Sequence, residues 1–198
     1  MTAAEQLTSR LRSAVAALPP GLSEHVLRVE VEALRLARAY DVDPEGAWLA
    51  ALGHDLVRHR RGPELLDLAA RYDLTPDAVE RAAPILVHGP VAARILGDDY
   101  GLGDADVLAA VDCHTTARAG MSRLEKVLFV ADKIEPQKLV QHPAWREVHD
   151  LAERDLDAAI LRYLDLQLEE TVRRHWLLHP RSLEARNQLS LNLHAAAG

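Results

Sequence analysis

Residues 43–57 read Asp-Pro-Glu-Gly-Ala-Trp-Leu-Ala-Ala-Leu-Gly-His-Asp-Leu-Val. Asp43 is a residue type that caps helices, and Pro44 suits a first turn, where its missing N–H removes no hydrogen bond. The apolar residues that follow predict a buried helix continuing to about Val57. His54 and Asp55 come directly after this apolar run, at a position where a solvated polar pair is not expected.

The remainder of the chain has the same helical character. Aromatic residues make up only 4% of the sequence, and the apolar residues are mostly Ala, Leu and Val, which suits close-packed helices. No convincing strand alternation is present. We therefore predict an all-α bundle, a single domain over residues 1–198 with its core at about 20–175 and a C-terminal helical extension. Pro and Gly divide the chain into amphipathic blocks. Two blocks cover 7–18 and 23–40, and others begin at Pro63, Thr75, Pro90 and near Asp104. A further block opens with a capping box at Ser122–Glu125, and the chain ends with a long stretch over 148–176 and a short helix after Pro180.

Charge and cysteine content restrict the classes of function. The formal net charge is −7, from 23 basic and 30 acidic side chains, which argues against a general nucleic-acid binder. A small anionic substrate is compatible with this charge, because bound metal ions reverse the local field. The single cysteine, Cys113, excludes an internal disulfide and we expect it to be a buried structural thiol. With no secretion signal in residues 1–12 and no apolar run near membrane-spanning length, we predict a cytoplasmic protein without membrane partners.

Imidazole and carboxylate side chains recur on apolar helical stripes. Each is costly to bury without a partner, and several on facing helices can offset that cost together by binding metal. Imidazole with carboxylate favours a borderline transition metal over calcium or magnesium. Two such ions about 3.5–4 Å apart would activate water and stabilise an in-line displacement at phosphorus. The candidate ligands are His25, His54, Asp55, His88, His114 and Asp132.

The order of these candidate ligands along the chain resembles that of the HD-domain phosphohydrolase superfamily, and the short sequences around them are similar to those of its YqeK family. These sequences are His-Asp-Leu-Val-Arg at 54–58, Leu-Val-His-Gly at 86–89, His-Thr-Thr at 114–116, Gly-Met-Ser at 120–122 and Val-Ala-Asp-Lys-Ile-Glu-Pro at 130–136. The resemblance covers about residues 20–175. It implies an HD-domain helical bundle that hydrolyses diadenosine tetraphosphate to two ADP with two divalent transition metal ions, iron or alternatively manganese. It also implies that all six candidates are ligands and that Asp55 bridges the ions.

A polyphosphate substrate also needs cations around the metals. We expect Asp55, Arg58 and Lys133 to act in catalysis, and Arg58, Thr115, Lys133 and Lys138 to bind substrate. Arg58 and Lys138 stand where the family usually has lysine and arginine, so the charge is kept. Ala117 replaces a glycine common in the family.

Two other functions fit the same residues. A metal set binds phosphate and not the base, so the substrate could instead be a nucleoside monophosphate or a guanosine alarmone. The metal could also be structural in a nucleotide-sensing module, with Trp176 and the leucines at 189–193 forming a partner surface. An Ala/Leu-rich bundle with a long terminal helix could form a homodimer. Glu135 fits three interpretations: a helix cap, a carboxylate that supports a metal ligand, or an ordinary surface residue at a helix end.

Overall fold

Helices account for the regular structure of the protein, whose computed structural model describes residues 2–196. No strand occurs in that range, so the all-α prediction is confirmed. None of the helices described is both long enough and apolar enough to cross a bilayer. The helices are α1 (Ala3–Ala16), α2 (Pro20–Ala39), α3 (Pro44–Gly53), α4 (Gly62–Arg71), α5 (Ala78–Ala82), α6 (His88–Asp98), α7 (Ala105–Cys113), α8 (Arg123–Ile134), α9 (Pro136–Gln141), α10 (Arg146–Ala152), α11 (Leu156–Arg174) and α12 (Pro180–Ala196), with 3-10 turns at Pro84–Val87 and Pro143–Trp145.

Helix α8 lies at the centre of the bundle. It packs against α2, α3, α7 and α11, and ten of its twelve residues are buried, which leaves almost no solvent-facing side. Helix α3 is similarly enclosed, with Ala50, Ala51 and Leu52 fully buried. Because both helices are surrounded by other helices, the polar residues at their C-terminal ends are buried inside the protein.

Side-chain caps fix where the central helices begin, as the sequence indicates. Asp43 accepts hydrogen bonds from the backbone N–H groups of Glu45 and Gly46 at the start of α3. Ser122 and Glu125 form a reciprocal capping box at the start of α8. Each device satisfies N–H groups that have no partner inside the helix. The predicted beginnings of α3 and α8 are confirmed.

The predicted continuous stretch over 148–176 was wrong. The chain forms two helices, and Asp155 caps the second by accepting from the N–H groups of Asp157 and Ala158. The block predicted to begin at Pro90 begins two residues earlier, at His88, and Gly89 and Pro90 lie in the first turn of α6, where proline is tolerated. The terminal helix is 17 residues long and not short.

Candidate metal centre

The six candidate ligands meet at one buried centre. Helix α2 provides His25, the C-terminal end of α3 provides His54 and Asp55, and α8 provides Asp132. His88 is the first residue of α6, and His114 directly follows the last residue of α7. None of the six is more than 5% exposed. The structure therefore brings together every residue predicted to ligate metal.

Asp55 lies between two pairs of imidazoles. Its Oδ1 is 3.1 Å from His88 Nε2 and 3.5 Å from His114 Nε2. Its Oδ2 is 3.4 Å from His54 Nε2 and 3.5 Å from His25 Nε2. Two groups of ligand atoms are formed in this way, and Asp55 belongs to both.

Asp132 joins the group that contains His25. Its Oδ1 is 3.1 Å from His25 Nε2 and 4.0 Å from His54 Nε2. Lys138 Nζ donates to the same Oδ1 at 2.6 Å, and Lys133 Nζ donates to Oδ2 at 2.5 Å. The two lysines therefore fix the orientation of this carboxylate.

All four imidazoles are held in the same tautomer by the protein around them. Each places Nδ1 against an oxygen that can only accept, so Nδ1 carries the proton and Nε2 turns a lone pair toward the centre. Such a contact orients a metal-binding imidazole and raises its basicity. The acceptors are the carbonyl oxygens of Ala51 for His54 (2.7 Å), Val111 for His114 (2.7 Å) and Ile85 for His88, and the carboxylate of Glu135 for His25 (3.2 Å).

The Nε2 atoms fit divalent cations. Those of His25 and His54 are buried without any hydrogen-bond partner in the part of the chain that the structure describes. Those of His88 and His114 face each other at 3.0 Å, and two lone pairs at this distance are unfavourable without a cation between them. Ligands at about 2.1 Å from one ion and at right angles to each other are about 3.0 Å apart. The donor set therefore suits divalent metal ions.

Ionisation also favours metal binding. Burial disfavours the imidazolium and lowers the pKa of His114 to about 3, so the neutral, ligating form is present at neutral pH. Burial alone would raise the pKa of Asp55, but the surrounding imidazoles hold it well below its usual range. Burial likewise opposes ionisation of Asp132, and the ammonium group of Lys133 holds its pKa well below the usual range. Both carboxylates are ionised at neutral pH.

Arg58 and Thr115 lie where the centre approaches solvent. Arg58 is exposed, and its guanidinium donates to Asp55 Oδ2 at 3.2 Å. Thr115 Oγ1 is 3.3 Å from His88 Nε2 and 3.2 Å from His114 Nε2. Both lie beside the ligand atoms, and their contacts with a substrate stay predictions.

The two predicted lysines differ in accessibility. Lys138 is partly exposed, and its ammonium group lies beside Asp132 Oδ1. Lys133 is only 5% exposed, and it donates to Asp132 and to the carbonyl oxygen of His114 at 3.1 Å. Its ammonium group thus holds the carboxylate of one candidate ligand, Asp132, and the backbone of another, His114.

Glu135 is buried, so it is not a surface residue, and it makes both the capping contact and the contact with a candidate ligand. Its carboxylate accepts from the N–H of Gln137 at the start of α9 at 2.8 Å and also contacts His25. Arg28 Nε donates to it at 2.6 Å. Sequence reasoning missed Arg28, although its position three residues after His25 places both on one side of α2.

The loop after His114 keeps the backbone shape that a glycine would allow. Ala117 has φ of 59°, in the left-handed region that disfavours residues with a Cβ atom. Ser182 Oγ on α12 donates to the carbonyl oxygen of Thr116 at 2.7 Å. The C-terminal helix therefore supports the loop, and Ala117 has a conformation that a glycine adopts without strain.

A second group of side chains could hold an ion by distance, but its imidazole is not in the tautomer that ligates metal. Asp77, Glu80 and His179 lie close enough together to hold an ion. However, His179 Nδ1 accepts from the backbone N–H of Arg181 at 3.2 Å, so its Nε2 carries the proton in the neutral ring. An imidazole in that tautomer does not present a lone pair to the two carboxylates.

A helical bundle that buries a His-Asp pair among further imidazoles defines an HD-type protein. The chain belongs to the HD domain family, which matches residues 22–137. It is similar to proteins named "Bis(5'-nucleosyl)-tetraphosphatase, symmetrical" from Staphylococcus aureus (36% identity, 68% of both chains) and from Halalkalibacterium halodurans (34% identity, 85% of this chain and 88% of that one). A relative of the same name from Bacillus subtilis is 36% identical, over 70% of this chain and 73% of its own length.

A solved structure confirms the HD-type bundle. It is described as a predicted HD superfamily hydrolase involved in NAD metabolism, from Clostridium acetobutylicum. The two folds agree with a TM-score of 0.88 at 29% sequence identity, over 93% of this chain and 97% of that one. The agreement extends well beyond residues 22–137, so the C-terminal helices belong to the shared architecture.

Proposed function

We propose that this protein hydrolyses diadenosine tetraphosphate symmetrically, giving two ADP, with two divalent transition metal ions in its buried centre. The observation that carries the proposal is Asp55, whose two oxygens face separate pairs of imidazoles. The relatives named symmetrical tetraphosphatases support the choice of substrate.

The ligand atoms divide between two ions. His25, His54 and Asp132 would hold one, His88 and His114 the other, and Asp55 would contact both. When bound, such ions stabilise charge on phosphoryl oxygens and make water a stronger nucleophile at neutral pH. We propose iron, with manganese as the alternative, because imidazole with carboxylate suits both better than magnesium or calcium.

The protein's own cations bind the polyphosphate. Arg58 offers a planar group suited to two phosphate oxygens, and Lys138 adds a second positive charge on the same side of the centre. Thr115 can donate its hydroxyl hydrogen to a phosphate oxygen. For Lys133, which the sequence predicts to act in catalysis and to bind substrate, we propose a positioning role instead, because its ammonium group already donates to Asp132.

The leaving group of this reaction needs no added proton, and the attacking water gives up its protons to solvent. A water oxygen forms a bond to one of the two central phosphorus atoms while the bond from that phosphorus to the central bridging oxygen breaks. ADP departs as a phosphate anion, a weak base, so no strong general acid is required. Catalysis rests on positioning and on charge stabilisation in a buried site.

Product analysis tests the proposal. Protein loaded with Fe²⁺ or Mn²⁺ and given diadenosine tetraphosphate should form ADP alone. Equal amounts of ATP and AMP, or no turnover with either metal, would overturn it. A nucleoside monophosphate and a guanosine alarmone in the same assay test the alternative substrates.

A pair of aspartate variants tests the centre. Asp55→Ala should lose bound metal and at least about 10³-fold in turnover, because metal ions supply several kcal/mol of transition-state stabilisation. Asp77→Asn, in the group around His179, should keep both. Equal metal content in the two variants would contradict the assignment of the centre.

We also propose that residues 1–198 form one domain and that the protein acts in the cytoplasm. The buried, unpaired Cys113 supports a reducing compartment. A homodimer stays a prediction.

A further inference from the structure

A cavity of about 770 Å³ is lined entirely by residues outside the range that matches the HD domain family. Its walls include His142, Trp145, Tyr163 and Trp176. These residues belong to the segments after α9, to α11 and to the chain that follows α11. The volume is typical of a small-molecule site.

Aromatic rings form one corner of this cavity. The His142 ring stacks on the Trp145 indole, with centroids 4.1 Å apart and planes 17° from parallel. Trp145 meets Tyr163 edge to face at 5.1 Å. The indole is partly buried and the imidazole is exposed. A flat aromatic ligand therefore finds rings already oriented for stacking.

Tyr163 lies between the cavity and the residues around the candidate metal centre. Its ring packs edge to face on Phe129 in α8 at 5.4 Å, and the Lys133 ammonium lies 5.5 Å from its centroid. The charged groups of Lys138, Asp132 and Arg58 lie near enough to influence the pKa of its hydroxyl. The inner wall of the cavity thus lies beside the residues that we assign to the phosphates.

We propose that this cavity is the nucleoside subsite of the enzyme, in which a purine base stacks on the Trp145–His142 pair and the phosphate chain passes Tyr163 to the metals. This inference rests on the proposed function. It assigns phosphate binding to Arg58, Thr115 and Lys138, and base binding to residues 142–177, which lie outside the HD-matched range. A base suits this corner because stacking uses its aromatic face.

The test compares two ligands that share a diphosphate. ADP and inorganic pyrophosphate are titrated into Mn²⁺-loaded protein by calorimetry, and the ratio of their dissociation constants isolates the contribution of the nucleoside. Trp145→Leu should weaken ADP binding by about 10-fold, a typical effect of losing one base stack, and leave pyrophosphate binding unchanged. Trp145→Phe should keep most of the ADP affinity.

Trp48→Leu is the matched control, since Trp48 is also partly buried but lies on α3 with its indole N–H donated to Glu30. It should leave the ratio unchanged. The proposal is overturned if Trp145→Leu weakens both ligands equally or neither. If ADP binding depends on Trp145 while diadenosine tetraphosphate is not hydrolysed, the subsite stands and the proposed reaction fails.

A second measurement covers the case in which Trp145→Leu does not fold. In the double variant Trp48→Phe with Trp176→Phe, Trp145 is the single remaining tryptophan. ADP should quench its fluorescence at saturation and pyrophosphate should not. Equal fluorescence changes with the two ligands would overturn the subsite.

Discussion

Glu135 contacts His25, one of the candidate metal ligands, and accepts a hydrogen bond from Arg28. Glu135→Gln keeps an oxygen that can accept from His25 Nδ1 but removes the negative charge and the ion pair. We expect metal affinity and turnover to fall about 10-fold, the lower end of the range for residues that support a metal ligand. Competition with a chelator and steady-state turnover measure the two effects.

Glu147→Gln serves as the control for this variant. Glu147 forms a comparable ion pair with Arg162 at 2.6 Å, but on the exposed surface. It should leave metal affinity unchanged. Identical metal affinities for the two variants would contradict the role assigned to Glu135.

Cys113 is the other residue whose surroundings give a direct test. It is fully buried, and burial together with the nearby charge of Glu125 raises the pKa of its thiol far above the ordinary value. Because the thiolate is the reactive form, the folded protein should not react with a disulfide reagent at pH 8. The urea-unfolded protein should react fully, and equal rates in both states would contradict this assignment.

The same pKa shift sets a direction for stability. The unfolded thiol loses its proton above about pH 8.5, while the folded thiol keeps it. The folded state then binds more protons, so the free energy of unfolding falls as pH rises. Urea unfolding between pH 8 and 10 should show a smaller loss for Cys113→Ala than for the parent protein.

The sequence identified the candidate ligands because each is a polar residue on an apolar stripe. The arrangement around Lys133 was beyond this reasoning, since its ammonium is directed to Asp132 by the packing of α8 against its neighbours. The stacked pair of His142 and Trp145 was missed for a related reason. Neither ring has a periodic signal, and they meet only because a 3-10 turn folds one over the other.

At the level of elements, Gly89 sets how closely α6 approaches α7. A Cβ atom at this position would lie 2.9 Å from the carbonyl oxygens of Val111 and Asp112 and 3.1 Å from His114 Nδ1. Gly89→Ala should therefore cost about 1–3 kcal/mol through overpacking. It should also separate His88 from His114 and lower metal affinity, as measured by urea unfolding and metal titration.

Gly97→Ala on the same helix is the matched control. Its added Cβ would meet Leu108 at 3.6 Å, an ordinary contact. The change should be neutral or stabilise the protein by up to about 1 kcal/mol, because alanine is the better helix former. A loss of metal affinity in this variant as large as that of Gly89→Ala would contradict the proposed close approach.

Helix boundaries were predictable where a local cap and an apolar run agree, as at Asp43 and Ser122. They were not predictable where amphipathic periodicity continues across a break. Val148, Leu156 and Ile160 form an apolar pattern compatible with one helix, yet Asp155 caps a new helix between them. A short polar interval inside a periodic stretch is weak evidence against continuity, so the longer helix was favoured.

At the scale of the whole molecule, removal of metal should lower thermal stability as well as activity. An ion at 100 times its dissociation constant stabilises the folded state by about 2.7 kcal/mol, which for a protein of this size corresponds to about 5–10 °C in Tm. Melting curves with Mn²⁺ and after treatment with a chelator measure the difference. Asp55→Ala should show little or no difference between the two conditions. The assignment of the centre would be contradicted if the Tm of the parent protein were the same with Mn²⁺ and after treatment with the chelator.

The candidate ligands span the chain from His25 in α2 to Asp132 in α8, a separation of about a hundred residues. An occupied centre therefore acts as a reversible cross-link across a long loop, in place of the covalent ones that a single cysteine precludes. Because an unfolded chain has no preformed site, this cross-link is made only as the native bundle assembles. A cell deprived of the metal would then clear the protein by proteolysis of opened chains, and its abundance would follow metal supply.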